Sequence, residues 1–122
     1  MANPFVHIEL NTSDVAKAKS FYGGLLNWKL EDTPMGEGET YTMIGVGEGG
    51  VGGGMTRNPM PGAPSAWMPY VDVDNVADAT KKAQSLGATV IRDVTEIPDY
   101  GSFSIIQDPT GAVLGLWTSV RR

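Results

Sequence analysis

The sequence reads as an α+β protein made of two β-α-β-β-β modules in tandem, and three observations lead there. The text from His7 to Val15, HIELNTSDV, returns in outline from Met68 to Val76 as MPYVDVDNV, an offset of 68 − 7 = 61 residues. The same offset pairs Ala16 with Ala77, Ala18 with Ala79, Leu25 with Leu86 and Gly54 with Gly115 without a gap, as when one supersecondary unit is used twice. Strand-like and helix-like periodicities then follow the same order in each copy, with a proline- and glycine-rich stretch between them.

In the first copy, Phe5 to Leu10 alternates, with Val6, Ile8 and Leu10 on one face and Phe5, His7 and Glu9 on the other, the period of a half-buried strand. Asn11 to Asp14 offer helix-capping side chains. Val15, Ala18, Tyr22, Leu25 and Leu26 follow at helical spacing, through Gly23 and Gly24, and are expected on the strand's apolar face. Trp28 to Leu30 suits a short strand, Glu31 to Thr40 a surface loop, Tyr41 to Val46 a strand and Gly47 to Gly50 a turn. Val51 to Thr56 is the next strand despite three consecutive glycines, which suit a place where backbone or ligand approaches closely.

Three prolines between Asn58 and Pro64 make 58–65 the linker, with modules at about 4–57 and 66–119 of a single domain. The second module repeats the plan. Trp67 to Val73 is its first strand, with Met68, Tyr70 and Asp72 on one face and Trp67, Pro69, Val71 and Val73 towards the helix. Asp74 or Asn75 caps a helix from Val76 to Leu86 that buries Val76, Ala79, Ala83 and Leu86 and ends at Gly87. Strands are expected near Thr89 to Arg92, Phe103 to Gln107 and Ala112 to Trp117, the last two joined by a tight turn at Asp108 to Gly111. One helix covers one face of each sheet only, so the other face must be enclosed by the second module or a second chain.

Composition narrows the function. Nine Lys and Arg against fourteen Asp and Glu give a net charge of −5, which disfavours nucleic acid and anionic membranes as partners. The absence of cysteine removes disulfides, thiolate metal sites and cysteine nucleophiles, and fits a cytoplasmic setting. MANPFVHIEL has neither the charged segment nor the long apolar run of a signal peptide, and no apolar stretch reaches the roughly 20 residues that span a bilayer. GVGEGGVGGG has the glycine spacing of a dinucleotide loop, yet strand-like text follows it where such a loop opens a helix.

The repeated module, the helix text SDVAKAKSFYGGLLNW and the late DPTGAVLGLW resemble the vicinal oxygen chelate superfamily, which includes glyoxalase I, extradiol dioxygenases, and fosfomycin and bleomycin resistance proteins. The resemblance runs from about Phe5 to Trp117 and implies mixed sheets curled into a cup. It further implies that first and fourth strands supply the ligands of one divalent metal, at positions falling here on His7, Gly54, Met68 and Gly115. Glycine has no donor, methionine sulfur suits soft copper(I), and His7 is the sole histidine, so it is the only retained ligand type and neither metal nor cofactor is expected. Glu9 shares its face, but one imidazole and one carboxylate make a weak site.

Two glycines in place of the carboxylates imply room in the cup, which Gly52 and Gly53 would extend. His7, Met43, Gly54, Met68, Tyr70, Asp72, Gly115 and Trp117 are the candidate ligand-binding residues, an aromatic and thioether wall with few polar handles. Glu31 to Thr40 and Asp93 to Gly101 are candidate acidic gates. The favoured function is binding of a small organic molecule by a metal-free homodimer. The alternatives are a glyoxalase-like lyase or isomerase, either metal-dependent or working by metal-free acid and base chemistry through His7, Glu9 or Tyr70, and a scaffold whose cup is filled by its own side chains.

Overall fold

The alternating text at the N-terminus and its repeat 61 residues on each begin a β-α-β-β-β module in the computed structural model, which describes residues 2–34, 40–58 and 62–120. The chain forms two compact units, His7–Met68 and Met1–Val6 with Pro69–Arg122. The N-terminal residues belong with the second module because the Asp72 N–H donates to the Pro4 carbonyl (2.9 Å) and the Asn3 amide donates to the Asp72 carbonyl (2.9 Å).

In the unit His7–Met68, β1 (Phe5–Thr12) pairs in parallel with β4 (Gly53–Arg57), which pairs antiparallel with β3 (Thr40–Gly45), and β3 with β2 (Lys29–Pro34). Helix α1 (Val15–Leu25) starts at Asp14, whose carboxylate accepts the Lys17 N–H at 3.0 Å, a cap of the kind that contributes about 1 kcal/mol. Leu10, Ile44 and Met55 form the buried core, packed against Val15, Ala18, Tyr22, Trp28 and Leu30. Burial of each such side chain is worth about 1.5–3 kcal/mol. Thr42, fully buried, donates its hydroxyl to Asp32, which also holds Lys19 at 2.8 Å; both bonds keep the Asp32 carboxyl below its ordinary range. The start of the linker is tied down, since the Asn58 N–H reaches the Thr12 carbonyl and its amide reaches the carbonyls of Ala63 and Pro64.

The second unit repeats the pattern, with β5 (Ala66–Asp72) parallel to β8 (Val113–Ser119), then β7 (Gly101–Gln107) and β6 (Thr89–Ile97) antiparallel beyond it. Helix α2 (Val76–Ser85) is capped by Asn75, which accepts the Asp78 N–H at 3.0 Å. It ends where Gly87 takes φ +105°, a left-handed conformation that a side chain would strain. Val76, Ile106 and Leu116 form the core, and the buried Thr80 hydroxyl donates to the Val76 carbonyl at 2.6 Å, which leaves the Ser104 hydroxyl to donate to Thr80 at 2.7 Å. Asp108 makes the expected tight turn, its carboxylate accepting the Thr110 and Ala112 N–H groups and its own N–H donating to the Ala112 carbonyl.

Several expectations are corrected. The polar text Glu31–Pro34 is not loop; it continues β2 along β3, while residues 35–39 of that expected gate lie outside the described set. Likewise Asp93–Ile97 belongs to β6, whose two register irregularities let it follow β7 as far as the turn at Pro98–Tyr100. Leu25 (61% exposed), the last residue of α1, and Leu86 (70%), the cap residue after α2, are exposed rather than buried. Trp67 packs on Tyr22 of α1 and on Trp28, so the start of β5 faces the first module's helix.

Candidate functional site

Strand register sorts the side chains. In the first unit Glu9 and Met43 both pair with Gly54, so His7, Glu9, Tyr41, Met43 and Gly54 share the face opposite α1, while Leu10, Ile44 and Met55 face the helix. Tyr41 sits two residues before Met43 and lies diagonally across from Gly54, within reach of an aromatic side chain. Its ring covers that glycine: a Cβ added at Gly54 would collide with the ring tip and hydroxyl of Tyr41. The space that a side chain at position 54 would occupy is therefore filled by an aromatic ring rather than open.

The covering hydroxyl is the centre of a polar chain. Tyr41 Oη donates to Glu9 Oε1 at 2.9 Å and lies 2.7 Å from His7 Nε2. With its one proton directed to the carboxylate, the phenol accepts from Nε2–H, which makes Nδ1 the basic nitrogen of a neutral His7. The rings of His7 and Tyr41 stack with centroids 6.2 Å apart. Burial pushes the His7 pKa below 6.5, because the interior disfavours the imidazolium. Glu9 is itself buried, and Met43 (42% exposed) brings the face to solvent.

In the second unit the pairs Tyr70 with Gly115 and Asp72 with Trp117 place those four on the face away from α2, together with Phe103 and Ile105. The arrangement rhymes with the first unit. A Cβ at Gly115 would meet the Tyr70 ring, which is buried and meets Phe103 edge to face at 6.1 Å. Arg92 lies over the other ring of that pair, 5.2 Å from the Phe103 centroid. Met68, the last residue of the first unit, is buried.

Tested against a divalent ion, this donor set does not fit. Gly54 and Gly115 offer no donor and carry rings where a ligand would approach, and the Glu9 carboxylate oxygen is already engaged by Tyr41. Among the described residues no group of three or more His, Cys, Asp or Glu side chains is placed to hold a metal. Gly53, expected to add room to the same face, instead lies against the Ile8 backbone and points to the helix side. Tyr41 is the site residue missed in the sequence; its even spacing from Met43, on a strand beside Gly54, was the available signal.

A chain of paired β-α-β-β-β modules with ligand positions on the first and fourth strands defines a family. This chain belongs to the Glyoxalase/Bleomycin resistance protein/Dioxygenase superfamily, whose sequence pattern matches residues 5–116. It is 36% identical over 120 residues to the proteins named "Putative glyoxylase CFP32" of Mycobacterium bovis and Mycobacterium tuberculosis, an overlap of 93% of this chain and 45% of the relative. The chain thus spans about half the length of the curated relatives it matches. In fold it is similar to hypothetical protein BH1468 from Bacillus halodurans C-125, with TM-score 0.72 at 13% identity over 100% of this chain and 98% of that one. Methylmalonyl-CoA epimerase from Mycobacterium tuberculosis gives TM-score 0.69 at 11% identity over 95% and 87%.

Proposed function

We propose that the chain binds a small, largely apolar organic molecule without the divalent ion that its superfamily's enzymes hold, the ligand resting on a sheet face opposite a helix. The observation that carries this reading is the pair of glycines at 54 and 115, each covered by a tyrosine ring, in a sequence with one histidine. In the first unit the wall is His7, Met43 and the Tyr41 ring that covers Gly54, with the Tyr41 and Glu9 pair as polar anchor; in the second it is Asp72, Trp117 and the Tyr70 ring that covers Gly115. A net charge of −5 favours a neutral or cationic ligand. Rings over the glycines also suit the scaffold alternative, but exposed Met43 beside a polar chain is the pattern of a binding surface. The chain is proposed to act as a cytoplasmic homodimer, which light scattering would report as twice 13.0 kDa. No described helix is long and apolar enough to cross a membrane.

The hydrogen-bonded chain from His7 through Tyr41 to Glu9 supports a second reading, metal-free proton transfer with His7 Nδ1 as base. Assays on the hemithioacetal of methylglyoxal and glutathione separate the two. Binding alone predicts no turnover with or without added nickel or zinc. Turnover that needs the metal and is lost with a chelator defeats both readings, whereas metal-free turnover abolished in a folded His7→Ala variant supports the second.

A further inference from the structure

We infer a second ligand site on the helix side of the first unit's sheet, suited to an uncharged aromatic molecule of one or two fused rings. Side chains alternate along β1, so Ile8 points into this cavity while His7 and Glu9 serve the opposite face, which makes the site independent of the function proposed above. The cavity holds about 220 Å³. Its walls are the aliphatic side chains of Ile8, Ile44, Val46 and Val51 and the indoles of Trp28 and Trp67.

Two glycines of the run that the family's chemistry leaves unexplained, Gly52 and Gly53, line this space. A Cβ at Gly53 would collide with the Ile8 backbone, so that position admits no side chain, and one at Gly52 would lie 3.1 Å from the Ile44 carbonyl, a tight contact. The two indoles stand edge to face, with centroids 6.0 Å apart and planes at 78°. Tyr22 of α1 braces both, stacked at 5.7 Å on Trp28 and edge-on at 5.4 Å to Trp67. A flat ring entering between such walls meets one indole by its face and the other by its edge, the two arrangements aromatic pairs prefer.

Charge and size define the occupant. The lining carries no charged side chain; two indole N–H donors for an anion and two indole faces for a cation, the latter a weak attraction, do not replace the hydration an ion would lose. An apolar cavity of about 150 Å³ takes benzene, so this one has room for a substituted ring or two fused rings. Val51 (45% exposed) and Trp67 (39%) form an apolar rim that such a ligand would cover.

The probe is p-cresol, uncharged at neutral pH, titrated into the 15N-labelled full chain, with 4-methylbenzoate and benzylammonium as charged counterparts. The three tryptophans give three indole N–H signals. Saturable shifts are expected for Trp28 and Trp67, with Trp117 and the His7 ring unmoved and both ions at least about tenfold weaker. Val51→Phe, whose larger ring at the exposed rim would narrow the mouth and hold the ligand out, should weaken p-cresol about tenfold. The site is overturned by shifts centred on Trp117 or His7, by equal binding of either ion, or by no saturable shift of Trp28 and Trp67. If Val51→Phe does not fold, the wild-type titration decides alone; if it folds and binds p-cresol as tightly as the parent, the site is overturned.

Discussion

Replacing Gly54 with alanine puts a methyl group where the tip of the Tyr41 ring now lies. The ring can swing aside, because the collision is with the far end of a side chain. Swinging it breaks the hydrogen bond to Glu9, worth about 1.5–3 kcal/mol for a carboxylate acceptor, and that to His7, worth about 0.5–1.5. The alanine returns about 0.5–1 kcal/mol by restricting the unfolded chain. Gly54→Ala should therefore cost about 1.5–3.5 kcal/mol. In a Tyr41→Ala background the collision is gone, and the same change should be neutral or stabilising by up to about 1 kcal/mol. The coupling between the positions is thus about 2 kcal/mol or more, readable from urea unfolding of the four proteins at constant m-value. If the two single changes add to within about 0.5 kcal/mol, the ring does not fill the glycine's space and the explanation of the lost ligand fails.

Three further outcomes follow from the same geometry. Gly115→Ala should cost more than Gly54→Ala, about 3 kcal/mol or above by urea unfolding, because it strikes the base of the buried Tyr70 ring, which has less freedom to swing. Gly53→Ala meets the Ile8 backbone, so it should split the β1/β4 pairing, seen as lost protection of the Leu10 and Met55 amides in hydrogen exchange. His7 titrates lower in the folded chain than its ordinary 6.5, so as pH falls the unfolded chain takes up the proton first. Its contribution to stability is complete above pH 6.5, declines from there down to the folded pKa and is flat below; melting temperature against pH should show that decline, and His7→Gln should remove it.

The modular order was legible because hydrophobic period and turn chemistry agree along most of the chain, from the β1 alternation to the Asp108 turn. The reach of β2 and β6 was not. Glu31–Pro34 and Asp93–Ile97 are outer strands of their units' sheets, where polar residues are ordinary and mimic loop text. Parity along β1 placed His7 and Glu9 on one face, and the repeat placed Gly54 and Gly115 as equivalents. What sits over those glycines depends on cross-strand register, which brings Tyr41 diagonally to one and Tyr70 directly opposite the other. A register is set by partners far apart in sequence, so the filled space was invisible before the strands were paired.

Calorimetric titration of nickel, zinc, cobalt and manganese into tag-free protein tests the loss of the metal centre. Wild type and His7→Ala should give the same weak, non-saturating heats, since one imidazole and an occupied carboxylate are too few donors to retain an ion. One-to-one binding at micromolar affinity or tighter in the wild type, absent from His7→Ala, would show that Tyr41 and Tyr70 yield to a coordination sphere after all.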